Sequence, residues 1–189
     1  MFGCALWTLW SKRNKIVHER KQKSGKDISD TIGWYLRELD DMEKESFRSC
    51  SGIVARNAHG EVLVSRAVFH PNVGSPFAAE AIACLWTVKT STKIGWSKVI
   101  IEGNALTIIK KCQSDQIDRS KIGVHIRDIH QISQQFRWIR FKHTNNVANQ
   151  LAHVLANISL KREEPTYMYG GVPYFTVRRM EAERQREPD

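Results

Sequence analysis

No stretch of the 189-residue sequence approaches the roughly 20 consecutive apolar residues that a bilayer span needs, which excludes a helical membrane protein. A cysteine framework is missing too. Cys4, Cys50, Cys84 and Cys112 form no CxxC pair, and no histidine pair stands at ligand spacing beside them. That excludes a zinc knuckle and leaves buried, reduced thiols as the expectation. Proline and glycine are sparse, at five and 11 residues, while hydrophobic residues reach 41%. The chain is therefore neither collagen-like nor wholly disordered. Acid is scarcer than base: 20 Asp+Glu face 29 Lys+Arg, a formal net charge of +9 with pI ≈ 9.6. A polyanion such as nucleic acid is the natural partner for that balance. The first ten residues are apolar, and the basic run 11–15 follows them, with no small-residue cleavage site after it. This reverses the order of a secretory leader, so the expectation is an intracellular protein, nuclear or cytoplasmic.

What is present divides into three regions. Residues 1–46 read as a helical N-terminal segment. Within 5–18, Leu6, Trp7, Trp10, Ile16 and Val17 alternate with polar residues, and within 27–44, Ile28, Ile32, Tyr35, Leu36 and Leu39 form a stripe. Residues 47–160 read as a compact α/β unit. Residues 161–189 are charged, carry Pro165, Pro173 and Pro188, and are expected to be a loosely ordered tail with one short helix over 177–186.

Inside the central unit, the run 51–56, a turn at 57–60 and an alternating run 61–70 predict a β-hairpin. Ser75-Pro76 opens a helix that buries Ala78, Ile82, Leu85 and the stem of Lys89 and stops at Gly95. Residues 98–102 predict a doubly covered central strand. Asn104 is expected to cap a helix over 105–112. A further helix carries Ile122, Ile126, Ile129 and Ile132 on one side. Residues 136–142 alternate as a strand, and 145–160 predict a last helix with Val147, Leu151, Leu155 and Ile158 inward. Strands alternating with helices predict a mixed sheet with helices on its faces.

Several residues stand out as carriers of chemistry. Glu80 is a lone carboxylate near the start of an apolar helix, where the helix dipole favours an acid. Glu102-Gly103-Asn104 ends the central strand, the place where open α/β sheets bind ligands. His143 ends the last strand, and Asn149 and His153 stand four apart on the last helix, sharing a face. Lys98, Lys110, Lys111, Arg137, Arg140 and Lys142 supply positive charge for phosphate contacts.

Four stretches then arrive together in order: SGIVARNAHG (51–60), PFAAEAIA (76–83), VIIEGNA (99–105) and HTNNVANQLAHVLA (143–156). As a set they resemble the ribonuclease H type-1 domain, in the version found in plant non-LTR-retrotransposon-derived proteins. LWTLWSKRN (6–14) is similar to the segment that precedes that domain. The resemblance implies an RNase H-like α/β fold, a five-stranded mixed sheet with helices on both faces. It implies cleavage of the RNA strand of an RNA–DNA hybrid by two Mg²⁺ ions held among acids. Carried onto this chain, Glu80, Asn104 and His153 fall at metal positions, His143 at the residue that assists hydrolysis or product release, and Asn149 beside the site.

Two departures follow. Asn104 stands where the family has an acid. The family's first strand, with its Asp, should lie about a dozen residues before Gly52, where residues 34–44 (WYLRELDDMEK) hold Asp40 and Asp41 in a helical pattern. The expectation is therefore a sheet whose first central strand is missing or altered, and a ribonuclease whose catalytic set is incomplete. Phosphate contacts need no metal, so binding outlives cleavage. The alternatives are a non-catalytic nucleic-acid-binding module with Asn149, Lys110, Lys111, Arg140 and Lys142 as contacts, or a degenerate retroelement remnant.

Overall fold

The computed structural model describes residues 2–9, 48–145 and 148–184, with residues 2–9 described by their backbone alone. The hairpin forms as its turn residues dictate. The Asn57 side-chain oxygen accepts from the backbone N–H groups of His59 and Glu61, and Gly60 takes φ 74°, a conformation that suits a residue without Cβ. The flanking strands are β2, Ser49–Arg56, and β3, Val62–His70, paired antiparallel.

The first strand departs from expectation. Phe2–Leu9 forms β1, antiparallel to β2 and parallel to β4, Lys98–Gly103. A segment expected to begin a helix over 5–18 thus fills the central slot expected to be missing or altered. β1 has helices packed across both its faces, and its almost unbroken apolar sequence, FGCALWTL, suits a doubly covered strand. The rest of the predicted N-terminal helices, with Asp40 and Asp41, lies outside the described residues.

Helix α1, Pro76–Ile94, starts as predicted. Ser75 Oγ accepts from the Ala78 N–H, Pro76 takes the first position, and Gly95 closes the helix at φ 87°. Its buried face is Ala79, Ala81, Ala83, Cys84, Leu85, Val88 and the threonine–serine run behind them, while Lys89 is exposed. The small residues admit close packing, so the inward face is broader than the four-residue stripe expected. Helix α2, Leu106–Gln113, begins after Ala105 without a side-chain cap. Asn104 is not that cap, because its side-chain oxygen accepts from Asn149 instead. Helix α3, Gly123–Ser133, buries Ile126 and Ile129, and Ile122 just before it is also buried. Strand β5, Trp138–His143, runs parallel to β4. Helix α4, Gln150–Arg162, buries Leu151, Ala152, Leu155, Ala156 and Ser159.

The sheet order is β5-β4-β1-β2-β3-β6, with α1, α2 and α3 on one face and α4 on the other. Strand β6, Thr166–Tyr169, adds a sixth strand antiparallel to β3. The segment expected to be a loose tail instead packs back. Val172 and Thr176 are buried, and α5, Val177–Arg184, joins α4 in the second core. Cys50, Cys84 and Cys112 are free and buried, as expected. At Gly52 the backbones of β2 and α4 approach closely, since an added Cβ would overlap the Ala152 carbonyl oxygen.

Candidate functional site

The C-terminal ends of β4 and β5 meet the start of α4, and three of the expected residues converge there. The backbone carbonyl of Asn104 lies 3.2 Å from His143 Nε2. The Asn104 side-chain oxygen accepts from Asn149 Nδ2 at 3.4 Å. The Thr144 N–H donates to the Gly103 carbonyl at 2.9 Å, which ties the loop after β5 to the end of β4. Asn149 is 1% exposed, and its side-chain oxygen has no hydrogen-bond partner among the described residues. His143 is exposed.

His153 sits one turn along α4 from Asn149, its N–H bonded to the Asn149 carbonyl. Asn157 Nδ2 approaches its ring at 2.9 Å. Burial lowers the His153 pKa, so the imidazole is neutral near pH 7 and accepts from that amide. Sequence reasoning passed over Asn157, although its place four residues after His153 was legible.

Glu80 lies in the first turns of α1. Burial raises its carboxyl from 4.5 to about 7, and no basic side chain among the described residues pairs with it. A bound cation would relieve that desolvation, so Glu80 alone has the character of a ligand. The other donors are neutral: an amide at Asn104, an amide at Asn149 and an imidazole at His153. β1 contributes no carboxylate to the centre of the sheet. Among the described residues no cluster of three or more His, Cys, Asp or Glu side chains is placed to hold a metal. Magnesium demands several hard oxygen ligands, and one carboxylate does not balance two divalent ions. The described residues do not fit a two-Mg²⁺ centre. Glu102 does not rescue it, because its carboxylate is engaged by Lys142 Nζ at 2.8 Å.

The expected basic contacts fall in two places. Ile139 and Phe141 of β5 pack into the core with α2 and α3, so the alternate residues Trp138, Arg140 and Lys142 point to the opposite, open face, with Trp138 37% exposed. Lys110 and Lys111 lie on α2, across the sheet from them, and Lys111 pairs with Asp118 at 2.9 Å. The structure does not bring the four cations into one patch.

A layered sheet of this order, with polar side chains gathered at the ends of β4 and β5, defines an RNase H-like fold. The family model for reverse transcriptase-like proteins matches residues 41–159, and the chain belongs to that family. Among solved structures, the fold is similar to RNase H1 from the archaeon Halobacterium salinarum, with TM-score 0.61, 11% identity, and coverage of 85% of this chain and 98% of that one. It is also similar to a compost-derived RNase H1 in complex with an RNA/DNA hybrid, with TM-score 0.60, 12% identity, and coverage of 86% and 99%. A third likeness is to the N-terminal RNase H domain of a Mycobacterium tuberculosis protein, with TM-score 0.54, 13% identity, and coverage of 86% and 96%. No curated protein matches the chain in sequence. No helix among the described residues is long and apolar enough to cross a membrane.

Proposed function

We propose that this chain is an RNA–DNA hybrid-binding module of retroelement descent, intracellular, in which the family's metal-dependent hydrolysis has been lost. The observation that carries the reading is the composition of the centre. β1 fills the slot between β4 and β2 without a carboxylate, and Asn104 presents an amide at the end of β4. The family resemblance supports the substrate class, and the net charge of +9 supports attraction to a polyanion. The open face with Trp138 and Arg140 leads to His143 and offers phosphate contacts that need no metal, which Lys142 joins by exchanging Glu102 for a phosphate. Asn149 then serves as a buried neutral support for Asn104, and His153 as a neutral hydrogen-bonding group, rather than as ligands.

The test is a labelled RNA–DNA hybrid incubated with folded protein in Mg²⁺ and in EDTA. Binding is expected in both, weakening as salt rises, with no cleavage in either. Asn104→Asp is expected to leave cleavage absent, because the β1 position stays neutral. Mg²⁺-dependent cleavage that Glu80→Gln abolishes would overturn the loss of hydrolysis. Absence of hybrid binding at low salt would overturn the binding role.

A further inference from the structure

Four strands across the sheet from β4, on the order of 19 Å at ordinary strand spacing, the β3–β6 edge carries a ladder of flat and cationic side chains. Arg66 of β3 stands in register with Tyr167 of β6. Its guanidinium lies 5.1 Å from the Trp86 ring centroid and 5.4 Å from that of Tyr167. One of its nitrogens donates to Thr90 Oγ1 at 3.0 Å, which fixes the plane of the group. Lys89 Nζ lies 5.4 Å from the Trp86 ring, and His70 backs that ring at 6.0 Å. Tyr169 continues the row, edge-on to Tyr167 at 5.1 Å, with the two hydroxyls 2.8 Å apart.

Stapling α1 to the sheet accounts for Arg66 and Trp86 but not for the rest. Tyr167, Met168 and Tyr169 are 39%, 40% and 67% exposed, on a strand with one open edge. Burying them would be favourable, and nothing within the described chain does so. The charge here is of one sign: β3 and β6 hold no acid, and the only acid in α1 is Glu80 near its other end. The acids that flank these strands are engaged: Glu163 and Glu164 pair with Arg48 and Arg162, and Glu61 accepts from Asn57 Nδ2 at 2.7 Å.

We propose that this face binds single-stranded nucleic acid, with bases stacked on Tyr167 and Tyr169 and phosphates held by Arg66 and Lys89. Exposed rings offer a π-face to any base, and guanidinium and ammonium groups beside them meet the backbone charge. A duplex hides its base faces and cannot use the ladder, so this site is distinct from the hybrid-binding face of β5. A strand displaced from a hybrid, or a single-stranded extension of one, has the right chemistry.

The experiment is fluorescence anisotropy with a labelled oligouridylate of about 12 nucleotides, at low salt, on the full chain. Tyr167→Ala with Tyr169→Ala is expected to weaken binding about tenfold without changing net charge. Tyr167→Phe with Tyr169→Phe is expected to retain it, since stacking survives loss of the hydroxyls. Tyr169→Ala alone serves if the double variant fails to fold, which circular dichroism reports. Arg140→Ala with Lys142→Ala is expected to weaken hybrid binding and spare the oligouridylate. Unchanged oligouridylate affinity in the alanine variants would overturn the proposal while leaving the hybrid reading intact. A dimer in sedimentation that the alanine variants dissolve, and that oligouridylate does not compete, would also overturn it by assigning the edge to a second copy.

Discussion

Two titratable groups, the half-buried Glu80 and the buried His70, set opposite limits on the pH at which the protein is stable. Glu80 has its folded pKa raised to about 7 by burial. Its neutral form is the one the fold prefers, so its stabilising contribution is complete below pH 4.5 and lost as pH rises to about 7. Each tenfold change in proton affinity between the folded and unfolded chain is worth about 1.4 kcal/mol, so the loss above pH 7 is about 3 kcal/mol. His70 behaves in the opposite sense. Burial, with the charge of Arg66, lowers it from 6.5 to about 4, and it meets Ser51 Oγ at 2.7 Å. Its stability is complete above pH 6.5 and lost as pH falls to about 4, again about 3 kcal/mol. Thermal melts followed by circular dichroism between pH 4 and 8 should separate the two. Glu80→Gln is expected to raise the melting temperature at pH 8 and leave the acid limb alone. Ser51→Ala with His70→Phe, which removes the buried hydroxyl together with the imidazole, is expected to flatten the acid limb. A Glu80→Gln protein that melts lower at pH 8 than the parent would show that the carboxylate is compensated in the fold.

The secondary elements are held by local chemistry at their ends and by close approach at their middles, and both can be tested. Ser75→Ala removes the acceptor for the Ala78 N–H and is expected to cost about 1 kcal/mol in urea unfolding. Gly52→Ala puts a Cβ against the Ala152 carbonyl with no room to yield. It is expected to lower the free energy of urea unfolding far more, by upwards of about 3 kcal/mol. Equal costs at the two sites would mean that α4 can slide off β2. These local features are the ones the sequence made legible: the Asn57–Gly60 turn, the Ser75-Pro76 start and the Gly95 stop each follow from one or two residues. Glu80 could be located from the PFAAEAIA pattern, and Asn149 and His153 from their spacing of four. Elsewhere the information was not local. Leu6, Trp7 and Trp10 have helical spacing, yet the strand that takes in Leu6 and Trp7 is set by β2 and β4, whose sequences lie far along the chain. Asn104 looks like a cap because caps are common after strands, and only the arrival of Asn149 shows why it is otherwise employed. β6 was hidden because a four-residue edge strand draws its pairing from β3 rather than from its own pattern.

At the scale of the whole molecule, the sheet depends on a strand separated from its antiparallel neighbour by residues 10–48. Closing so long a connection costs more entropy than closing a tight hairpin, by about 2 kcal/mol for a tenfold longer loop. Ladders on both sides offset that cost: β1 pairs over seven positions with β2 and five with β4. Without β1 those two strands would each expose a row of backbone donors and acceptors in the middle of the protein. The two cores, one under α1–α3 and one under α4, would lose the strand that lies beneath both. Deleting residues 1–9 is therefore expected to abolish the cooperative thermal transition and collapse amide dispersion in a ¹H–¹⁵N spectrum. A truncated protein that still melts sharply would mean that another segment enters the slot. The candidate would then be residues 34–44, which bring Asp40 and Asp41. Such a protein should gain Mg²⁺-dependent cleavage once Asn104→Asp is added, whereas the full chain with the same substitution should not.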